Sequence, residues 1–246
     1  MKLPQPLHAA RLIKRYKRFL ADAALEETGE TVTAHLANPG SMMGLNQPGA
    51  RIWLSWNDDP KRKLRYAWEL IELPGGAWSG VSTAHPNRIV EEALRGGRVA
   101  EAAGYDRLRR EVSYGAASRV DFLAEGDGLP PLFIEVKNVH LRRSGALAEF
   151  PDSVTKRGAK HLDELAAQVA AGARALMLYL VQRDDCEAFA LAGDIDPAYL
   201  RRYHEARAAG VEAVAYACRI DPPPDADAAI TLDRALPIRE AAMRAS

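Results

Sequence analysis

The sequence changes character near Thr83, and this change sets the architecture that the chain can adopt. Before it, short segments with β-type patterns are separated by turns that contain glycine and proline, whereas after it helical and strand patterns alternate. A chain of 246 residues is long for one compact domain and comfortable for two small ones. We therefore predict an α/β (α+β) protein with a first domain over 1–83, a second domain over 84–220 and a C-terminal tail over 221–246.

The first domain is predicted to be a small β-barrel. Five short strands in about 80 residues, punctuated by turns such as Asn38-Pro39-Gly40, are typical of a five-stranded barrel of the oligonucleotide/oligosaccharide-binding (OB) type. An SH3-like barrel or a strand-rich cap is the alternative. The predicted β segments cover 12–25, 31–36, 51–56, 65–73 and 77–82.

The second domain is predicted to be a mixed α/β unit with the element order αβββαβαβ. The segment 173–181 is a continuous apolar run, which is typical of a strand buried on both faces. Residues 229–232 of the tail can add one more strand. The predicted helices cover 86–95, 156–171 and 197–209, and the predicted strands cover 108–114, 119–123, 132–141, 173–181 and 211–217.

The third strand of this domain carries an acid and a lysine at a spacing that places them side by side. Successive strand residues point to opposite faces, so Glu135 and Lys137 share one face. Ile134 and Val136 then face the core. The preceding strand forms a hairpin with this one and brings Asp121 next to Glu135. Two adjacent carboxylates repel each other unless a cation lies between them, and oxygen ligands of this kind suit Mg²⁺ or Mn²⁺.

These residues predict a metal-dependent phosphodiesterase centre. A divalent cation can polarise a phosphodiester and generate a nucleophile near neutral pH. Lys137 is placed to orient the attacking water or to neutralise the transition-state charge. Glu92 is expected to reach the same cavity from the helix 86–95 and to act as a further metal ligand, with the neighbouring Glu91 as a competitor. The alternative for Glu135 and Lys137 is a solvated salt bridge, which contributes less than about 1 kcal/mol.

Basic residues with interleaved aromatic rings predict a nucleic-acid surface on the first domain. The first 84 residues carry 11 Lys and Arg against 8 Asp and Glu, although the whole chain has 33 of each. Single strands bind such surfaces through phosphate neutralisation and base stacking, and a solvated charged face is the alternative. The predicted nucleic-acid-binding residues are Arg11, Lys14, Arg15, Tyr16, Lys17 and Arg18 in one cluster and Lys61, Arg62, Lys63 and Arg65 in another.

The start of the helix 156–171 is a further candidate for phosphate binding. Helix N-termini favour anions, and Thr155 or Asp152 can cap this one. Arg157 and His161 lie four residues apart, on one helix face, and are predicted to face phosphate beside the metal. The alternative is again a solvated polar face.

Composition excludes several other classes. Two cysteines, Cys186 and Cys218, are too few for a zinc site and are expected to be free thiols. No signal sequence is apparent, and no apolar run approaches the roughly 20 residues of a membrane helix, so a cytoplasmic protein without membrane contact is predicted.

The expected partner is DNA, with RNA as the alternative. The oligomeric state is left open, a homodimer being one option.

An acid, then Asp121, then Glu-x-Lys on this element order resembles the pattern of the PD-(D/E)XK nuclease fold. Over about residues 5–218 the sequence also resembles the sugar fermentation stimulation protein family of bacteria and archaea. The motifs that carry this resemblance are RYKRFLAD at 15–22, NPGSM at 38–42, KRK at 61–63, PNRIVEEAL at 86–94, RVDF at 119–122, IEVKNV at 134–139 and FPDSVTKRGAKHLDEL at 150–165.

The resemblance implies an OB-type barrel followed by a PD-(D/E)XK nuclease-like domain, together with DNA binding and a regulatory role in sugar (maltose) metabolism. Pro39 and Asn138 depart from the family pattern, outside the predicted site. Two hypotheses follow: a Mg²⁺-dependent nuclease that hydrolyses DNA, and a DNA-binding regulatory protein with little or no turnover. The family's characteristic acids and lysine correspond to Glu92, Asp121, Glu135 and Lys137.

Overall fold

The computed structural model describes residues 1–114, 118–223 and 227–240. Its amino-terminal part is a closed barrel in which strand order β3-β2-β1-β4-β5 is completed by a parallel pairing of β3 with β5. Closure leaves the barrel without open sheet edges, as in OB folds, so the predicted OB-like barrel is confirmed. The strands are β1 (Leu7–Tyr16), β2 (Leu20–Leu25), β3 (Thr31–His35), β4 (Arg51–Trp56) and β5 (Tyr66–Glu72), and the short β6 (Trp78–Gly80) pairs with β5.

The predicted β segment 12–25 is a hairpin of two strands, β1 and β2, and its interpretation as one segment is wrong. The turn lies at Lys17 and Arg18, whose φ angles are 48° and 62°. Left-handed backbone is typical of tight hairpin turns, where glycine or asparagine usually marks it. This turn contains neither, so the sequence carries no signal for it. The segment predicted over 77–82 contributes only the three residues of β6.

Alternation along each strand builds the barrel interior. Ala10 and Leu12 on β1 point inward, as do Ala21 and Ala23 on β2. The three alanines leave room for Trp68, which is 1% exposed. Burying one leucine or isoleucine stabilises such a core by about 1.5–3 kcal/mol.

The remaining chain forms the α/β domain, with helices on both faces of a six-stranded sheet of order β15-β14-β12-β9-β8-β7. A second, four-stranded sheet has the order β10-β11-β13-β16 and was not predicted. The helices are α1 (Pro86–Arg95), α2 (Lys156–Ala170) and α3 (Pro197–Ala208). The strands are β7 (Arg107–Tyr114), β8 (Ser118–Glu125), β9 (Leu132–Val139), β10 (Leu141–Ser144), β11 (Leu147–Phe150), β12 (Arg174–Val181), β13 (Ala188–Leu191), β14 (Glu212–Asp221), β15 (Ala229–Leu236) and β16 (Ile238–Arg239).

Strand β12 is buried on both faces, as its continuous apolar run predicts. Leu176 and Leu178 lie in the core under α1, whereas Met177 and Tyr179 lie in the core under α2 and α3. The α1-side core also contains Trp53 of the barrel. Side chains of the barrel and of the α/β domain therefore meet in this cluster, in addition to the barrel's own core.

Residues 1–3 pair with residues 228–230 on the α/β domain. Strand β15 pairs antiparallel with β14, which confirms and lengthens the strand predicted at 229–232. The Leu3 N–H donates to the Ala228 carbonyl at 2.9 Å, and the Ile230 N–H donates to the Met1 carbonyl at 2.9 Å. Residues 1–3 therefore lie against the α/β domain and not in the barrel. Cys186 and Cys218 are buried free thiols.

Among the described residues, no helix has the length and hydropathy needed to cross a membrane.

Candidate active site

The site begins where the pairing of β8 with β9 ends. The last paired residues of the ladder are Phe122 and Ile134. One position further, the Asp121 side chain replaces a backbone acceptor, and its Oδ2 accepts a hydrogen bond of 2.8 Å from the Val136 N–H. Asp121 is thereby fixed against β9 beside Glu135.

Glu135 and Lys137 share one face of β9, as the strand alternation predicts. Lys137 Nζ donates to Glu135 Oε1 at 2.7 Å and lies 3.4 Å from His161 Nδ1. The His161 Nδ1 hydrogen-bonds to the same Glu135 oxygen. Because Arg157 Nε donates to His161 Nε2 at 3.2 Å, Nδ1 is the nitrogen that carries the hydrogen toward Glu135.

Helix α2 is what brings His161 into the site. Thr155 caps the helix, since its side-chain oxygen accepts from the Gly158 N–H at 3.1 Å. His161 lies on the same face as Arg157 and is 5% exposed, whereas Arg157 is exposed. These two residues share one helix face, as predicted. The exposed Arg157 contacts His161, which in turn contacts the buried Glu135 carboxylate.

The second oxygen of Glu135 has no hydrogen-bond partner among the described residues. Glu135 is 3% exposed and its Oε2 atom is buried. A buried carboxylate oxygen without a donor is costly, so this atom fits a cation ligand. Mg²⁺ and Mn²⁺ accept carboxylate oxygens and retain water ligands, so Asp121 and Glu135 fit such an ion as a pair.

The two carboxyl groups differ in their electrostatics. Burial and the neighbouring Glu135 charge raise the pKa of Asp121, against opposing hydrogen bonds from Val136 and Asn87. Burial also acts to raise the pKa of Glu135, but the hydrogen bond from His161 and the charge of Lys137 outweigh it, so that pKa lies below its usual value. A positive charge placed between the two groups would remove the repulsion that Asp121 feels.

Glu92 does not join Asp121 and Glu135, contrary to expectation. Its carboxylate lies 2.8 Å from the amino group of Met1 and 3.7 Å from Arg98, and its side chain is 53% exposed. Within the described residues, no three His, Cys, Asp or Glu side chains are arranged to hold a metal ion. The acids that fit a metal are therefore Asp121 and Glu135, without the predicted third ligand.

Asn87 takes the position on α1 that Glu92 was expected to fill. Its Nδ2 donates to Asp121 Oδ1 at 2.8 Å. Glu91 lies four residues further along the same helix face and is held by Arg95 and Arg110, at 3.0 Å and 2.8 Å. Residues five apart on a helix point in different directions, which turns Glu92 away from the site.

The first basic cluster contains one residue that braces the backbone, three that pair with acidic side chains, and two that form no ion pair with other described residues. Arg15 donates to the carbonyls of Arg18, Asn38, Gly40 and Ser41, and its side chain is partly buried. The remaining paired members are Arg11, which lies 2.8 Å from Glu26, and Lys14 and Tyr16, which lie 3.5 Å and 3.0 Å from Asp22. Lys17 and Arg18 are exposed and form no side-chain ion pair with other described residues.

The second basic cluster is an exposed loop beside aromatic rings. The Arg65 guanidinium lies 5.4 Å from the ring centroid of Trp56, which packs edge-on against Tyr66 at 4.8 Å. Lys61, Arg62 and Lys63 are exposed. The β4–β5 loop thus places cations next to two half-buried aromatic rings, and nucleic-acid binding by this cluster stays a prediction.

A contact between the two parts of the chain was not predicted. Ser41 N–H and Oγ both donate to Asp152 Oδ2, at 2.8 Å and 3.1 Å. Of the two predicted cap residues, Asp152 therefore spans the domains while Thr155 caps α2. A cavity of about 330 Å³ lies at this junction, and burial lowers the pKa of His140 on its wall to about 4.

The fold and the site define a class of protein: an OB-type barrel joined to a mixed α/β domain with an acid–acid–lysine cluster on its central strands. Residues 13–81 match the family model described as the SfsA N-terminal OB domain, and residues 84–224 match the one described as the sugar fermentation stimulation protein RE domain. The chain belongs to the sugar fermentation stimulation protein family.

Named relatives match over nearly their whole length. The sugar fermentation stimulation protein homolog of Dinoroseobacter shibae is 56% identical over 242 residues, covering 98% of this chain and 97% of the relative. The homolog of Paramagnetospirillum magneticum is 54% identical over 234 residues, covering 95% and 98%. A solved structure of Pyrococcus furiosus SfsA in complex with Ca²⁺ superposes with a TM-score of 0.84 at 24% identity, covering 97% and 98%, and shows a shared fold.

Proposed function

We propose that this protein is a Mg²⁺- or Mn²⁺-dependent nuclease that hydrolyses phosphodiester bonds in DNA. The observation that carries the proposal is the partnerless, buried Oε2 of Glu135 next to Asp121. A carboxylate pair of this kind holds a cation that stabilises charge on the phosphodiester undergoing hydrolysis. The element order and the acid–acid–lysine pattern of the PD-(D/E)XK nucleases support the same conclusion.

In this proposal the residues around the carboxylates have separate roles. Asp121 and Glu135 hold the metal. Lys137 sits 2.7 Å from Glu135, where its ammonium group can orient water or neutralise charge on the phosphate. His161 fixes Glu135 through a hydrogen bond and is itself held by Arg157. Arg157 is exposed and is placed to meet an incoming phosphate.

One solved structure of the same fold supports the choice of a hard cation. The Pyrococcus furiosus protein is described as a complex with Ca²⁺, an ion that takes oxygen ligands as Mg²⁺ does. At 24% identity this likeness concerns the fold, so the metal remains part of our proposal for this chain.

The test is cleavage of labelled single-stranded DNA, duplex DNA and RNA with Mg²⁺ or Mn²⁺. We expect Glu135→Gln and Lys137→Ala each to lower the rate at least about a hundredfold. Glu92→Gln is the matched control, because it makes the same acid-to-amide change outside the carboxylate pair, and it is expected to leave the rate within about twofold of wild type. Failure to cut any substrate, or cleavage that is indifferent to Lys137→Ala, would refute the proposal.

A second candidate function is a DNA-binding regulatory protein of sugar metabolism with little or no turnover. The observation that favours it is the Lys137–Glu135–His161 cluster, in which Glu135 Oε1 has two polar partners that belong to the protein itself. It predicts salt-sensitive DNA binding that is unchanged by Asp121→Ala and weakened by Arg62→Ala. Binding without any cleavage would favour this function over the first.

A further inference from the structure

Three exposed apolar side chains lie on neighbouring loops near the candidate site. Phe19 is 45% exposed, Met43 is 49% exposed and Val154 is 67% exposed. Among the described residues, only two further large apolar side chains are exposed, those of Ile13 and Leu129. Grouped exposed apolar side chains indicate a binding surface, whereas scattered ones do not.

Two polar braces hold the three loops together. The Arg15 guanidinium donates to the Arg18 carbonyl, next to Phe19, and to the Asn38 carbonyl, at 3.0 Å and 2.9 Å. It thereby ties the β1–β2 turn to the loop that carries Met43.

The second brace reaches the α/β domain. Ser41, two residues before Met43, donates to Asp152, which is two residues before Val154. The three exposed apolar residues therefore flank two fixed contacts, and we call them the Phe19–Met43–Val154 patch.

Exposed cations lie next to two members of this patch in the sequence. Lys17 and Arg18 precede Phe19 in a turn with left-handed backbone, and Lys156 follows Val154 at the start of α2. All three side chains are exposed, and none forms an ion pair with another described residue. Apolar surface rimmed by unneutralised positive charge is complementary to a polyanion that also offers flat apolar faces.

One member of the patch, Val154, lies just before α2, the helix that carries His161 into the candidate active site. Val154 lies two residues before the start of α2, and His161 lies in the second turn of that helix. His161 contacts Glu135 directly. A strand lying on the patch would therefore reach the carboxylates within a few nucleotides.

We propose that the Phe19–Met43–Val154 patch is a stacking platform for unpaired bases, with Lys17, Arg18 and Lys156 neutralising the adjoining phosphates. This rests on the proposed nuclease function and specifies its substrate as nucleic acid with a single-stranded segment next to the cut. A duplex hides its base faces within the stack, so an apolar platform discriminates in favour of unpaired nucleotides.

The test is fluorescence anisotropy with one labelled oligonucleotide, used as a single strand and as a blunt duplex, in EDTA so that nothing is cut. Phe19→Ala is expected to weaken single-strand binding roughly tenfold or more while changing duplex binding less than about twofold. Phe19→Trp, which keeps a stacking ring, should restore single-strand affinity. Leu129→Ala is the matched control, since Leu129 is 41% exposed on the β8–β9 loop, and it should change neither.

The platform would be overturned if wild type and Phe19→Ala bound the single strand equally well. It would also be overturned if Phe19→Ala weakened binding of the single strand and of the duplex by the same factor, or if wild type did not bind the single strand at all. Circular dichroism melting of each variant separates loss of contact from loss of fold. If sedimentation shows a dimer that Phe19→Ala dissociates at unchanged single-strand affinity, the patch is a contact between copies and the proposal is wrong.

The platform and the nuclease proposal fail separately. Metal-dependent cleavage that Phe19→Ala leaves intact, together with unchanged binding, refutes the platform alone. Phe19-dependent single-strand binding without cleavage of any substrate refutes the nuclease and leaves the platform standing.

Discussion

Asn87 on α1 donates a 2.8 Å hydrogen bond to Asp121 on β8 and thereby fixes one of the two carboxylates of the candidate site. The other Asp121 oxygen is fixed by the Val136 N–H on β9. Asp121 is thus held from two directions, by a helix and by the neighbouring strand. This arrangement keeps its lone pairs in place although Glu135 repels its charge.

Removal of the Asn87 amide should weaken the metal site without touching a ligand. Residues that orient metal ligands typically contribute ten- to hundredfold to metal affinity or activity. We expect Asn87→Ala to weaken Mn²⁺ binding by roughly tenfold or more, measured by isothermal titration calorimetry. Asn57→Ala, on the β4–β5 loop, is the control. An unchanged Mn²⁺ affinity in Asn87→Ala would show that the Val136 N–H alone positions Asp121.

Metal binding should depend on pH through Asp121. The pKa of Asp121 is raised from 3.8 in the folded, metal-free protein. Protonated Asp121 therefore stabilises the metal-free fold at low pH, and this stabilisation is lost as pH rises through the raised pKa. Glu135 has the opposite sign: its pKa is lowered from 4.5, and its contribution disappears only as pH falls through that lower value.

Mn²⁺ should therefore raise the melting temperature strongly at neutral pH, and the effect should fade on acidification while Glu135 is still ionised. Differential scanning fluorimetry with and without Mn²⁺ across pH measures this directly. Glu135→Gln should show little Mn²⁺-dependent shift at any pH. A Mn²⁺-dependent shift that does not weaken on acidification would argue against Asp121 as a ligand of the ion.

Arg15 is expected to act on stability, in contrast to its neighbour Lys17. Arg15→Ala removes hydrogen bonds to four backbone carbonyls, and we expect a loss of about 2–3 kcal/mol in the free energy of unfolding, measured by urea denaturation. Lys17→Ala should change stability by less than about 0.5 kcal/mol, because the side chain is exposed. Equal stability of the two variants would argue against the brace.

Gly40 and Asp152 should be energetically coupled across the domain junction. A Cβ atom at Gly40 would lie 2.6 Å from Asp152 Oδ2, so Gly40→Ala forces the carboxylate to move. We expect Gly40→Ala to destabilise the wild-type chain by about 1–3 kcal/mol and to cost much less in an Asp152→Ala background. A double-mutant cycle on urea unfolding gives the coupling, and simple additivity of the two changes would exclude the contact.

Long regular elements and the alternation of side chains along β9 could be predicted from the sequence, whereas the helix face on which an acid of α1 lies could not. The apolar run of β12 and the periodicity of α2 extend over many residues, so small local conflicts do not hide them. Glu91 and Glu92 show the limit. They differ by about 100° around the helix axis, and the sequence alone does not fix which one faces the sheet.

Short elements and turns with unusual backbone conformation could not be predicted from the sequence either. The β1–β2 turn uses Lys17 and Arg18 in left-handed conformations, where sequence rules expect glycine or asparagine. Strands β10, β11 and β13 are four residues each, and β11 finds β13 only across a long stretch of chain. The structural role of Arg15 could not be predicted either, because a run of basic residues does not indicate which side chain donates hydrogen bonds to backbone carbonyls.

The pairing of residues 1–3 with 228–230 gives the barrel two attachments to the rest of the molecule. One is the chain between residue 3 and Leu7, and the other is the segment that leads from β6 into α1, where His85 contacts Glu69 of the barrel at 3.2 Å. A domain on a single linker can revolve about it, but one tethered at both ends cannot. The two connections therefore restrict rotation of the barrel relative to β9, so a ligand held by the barrel approaches the candidate site from one side.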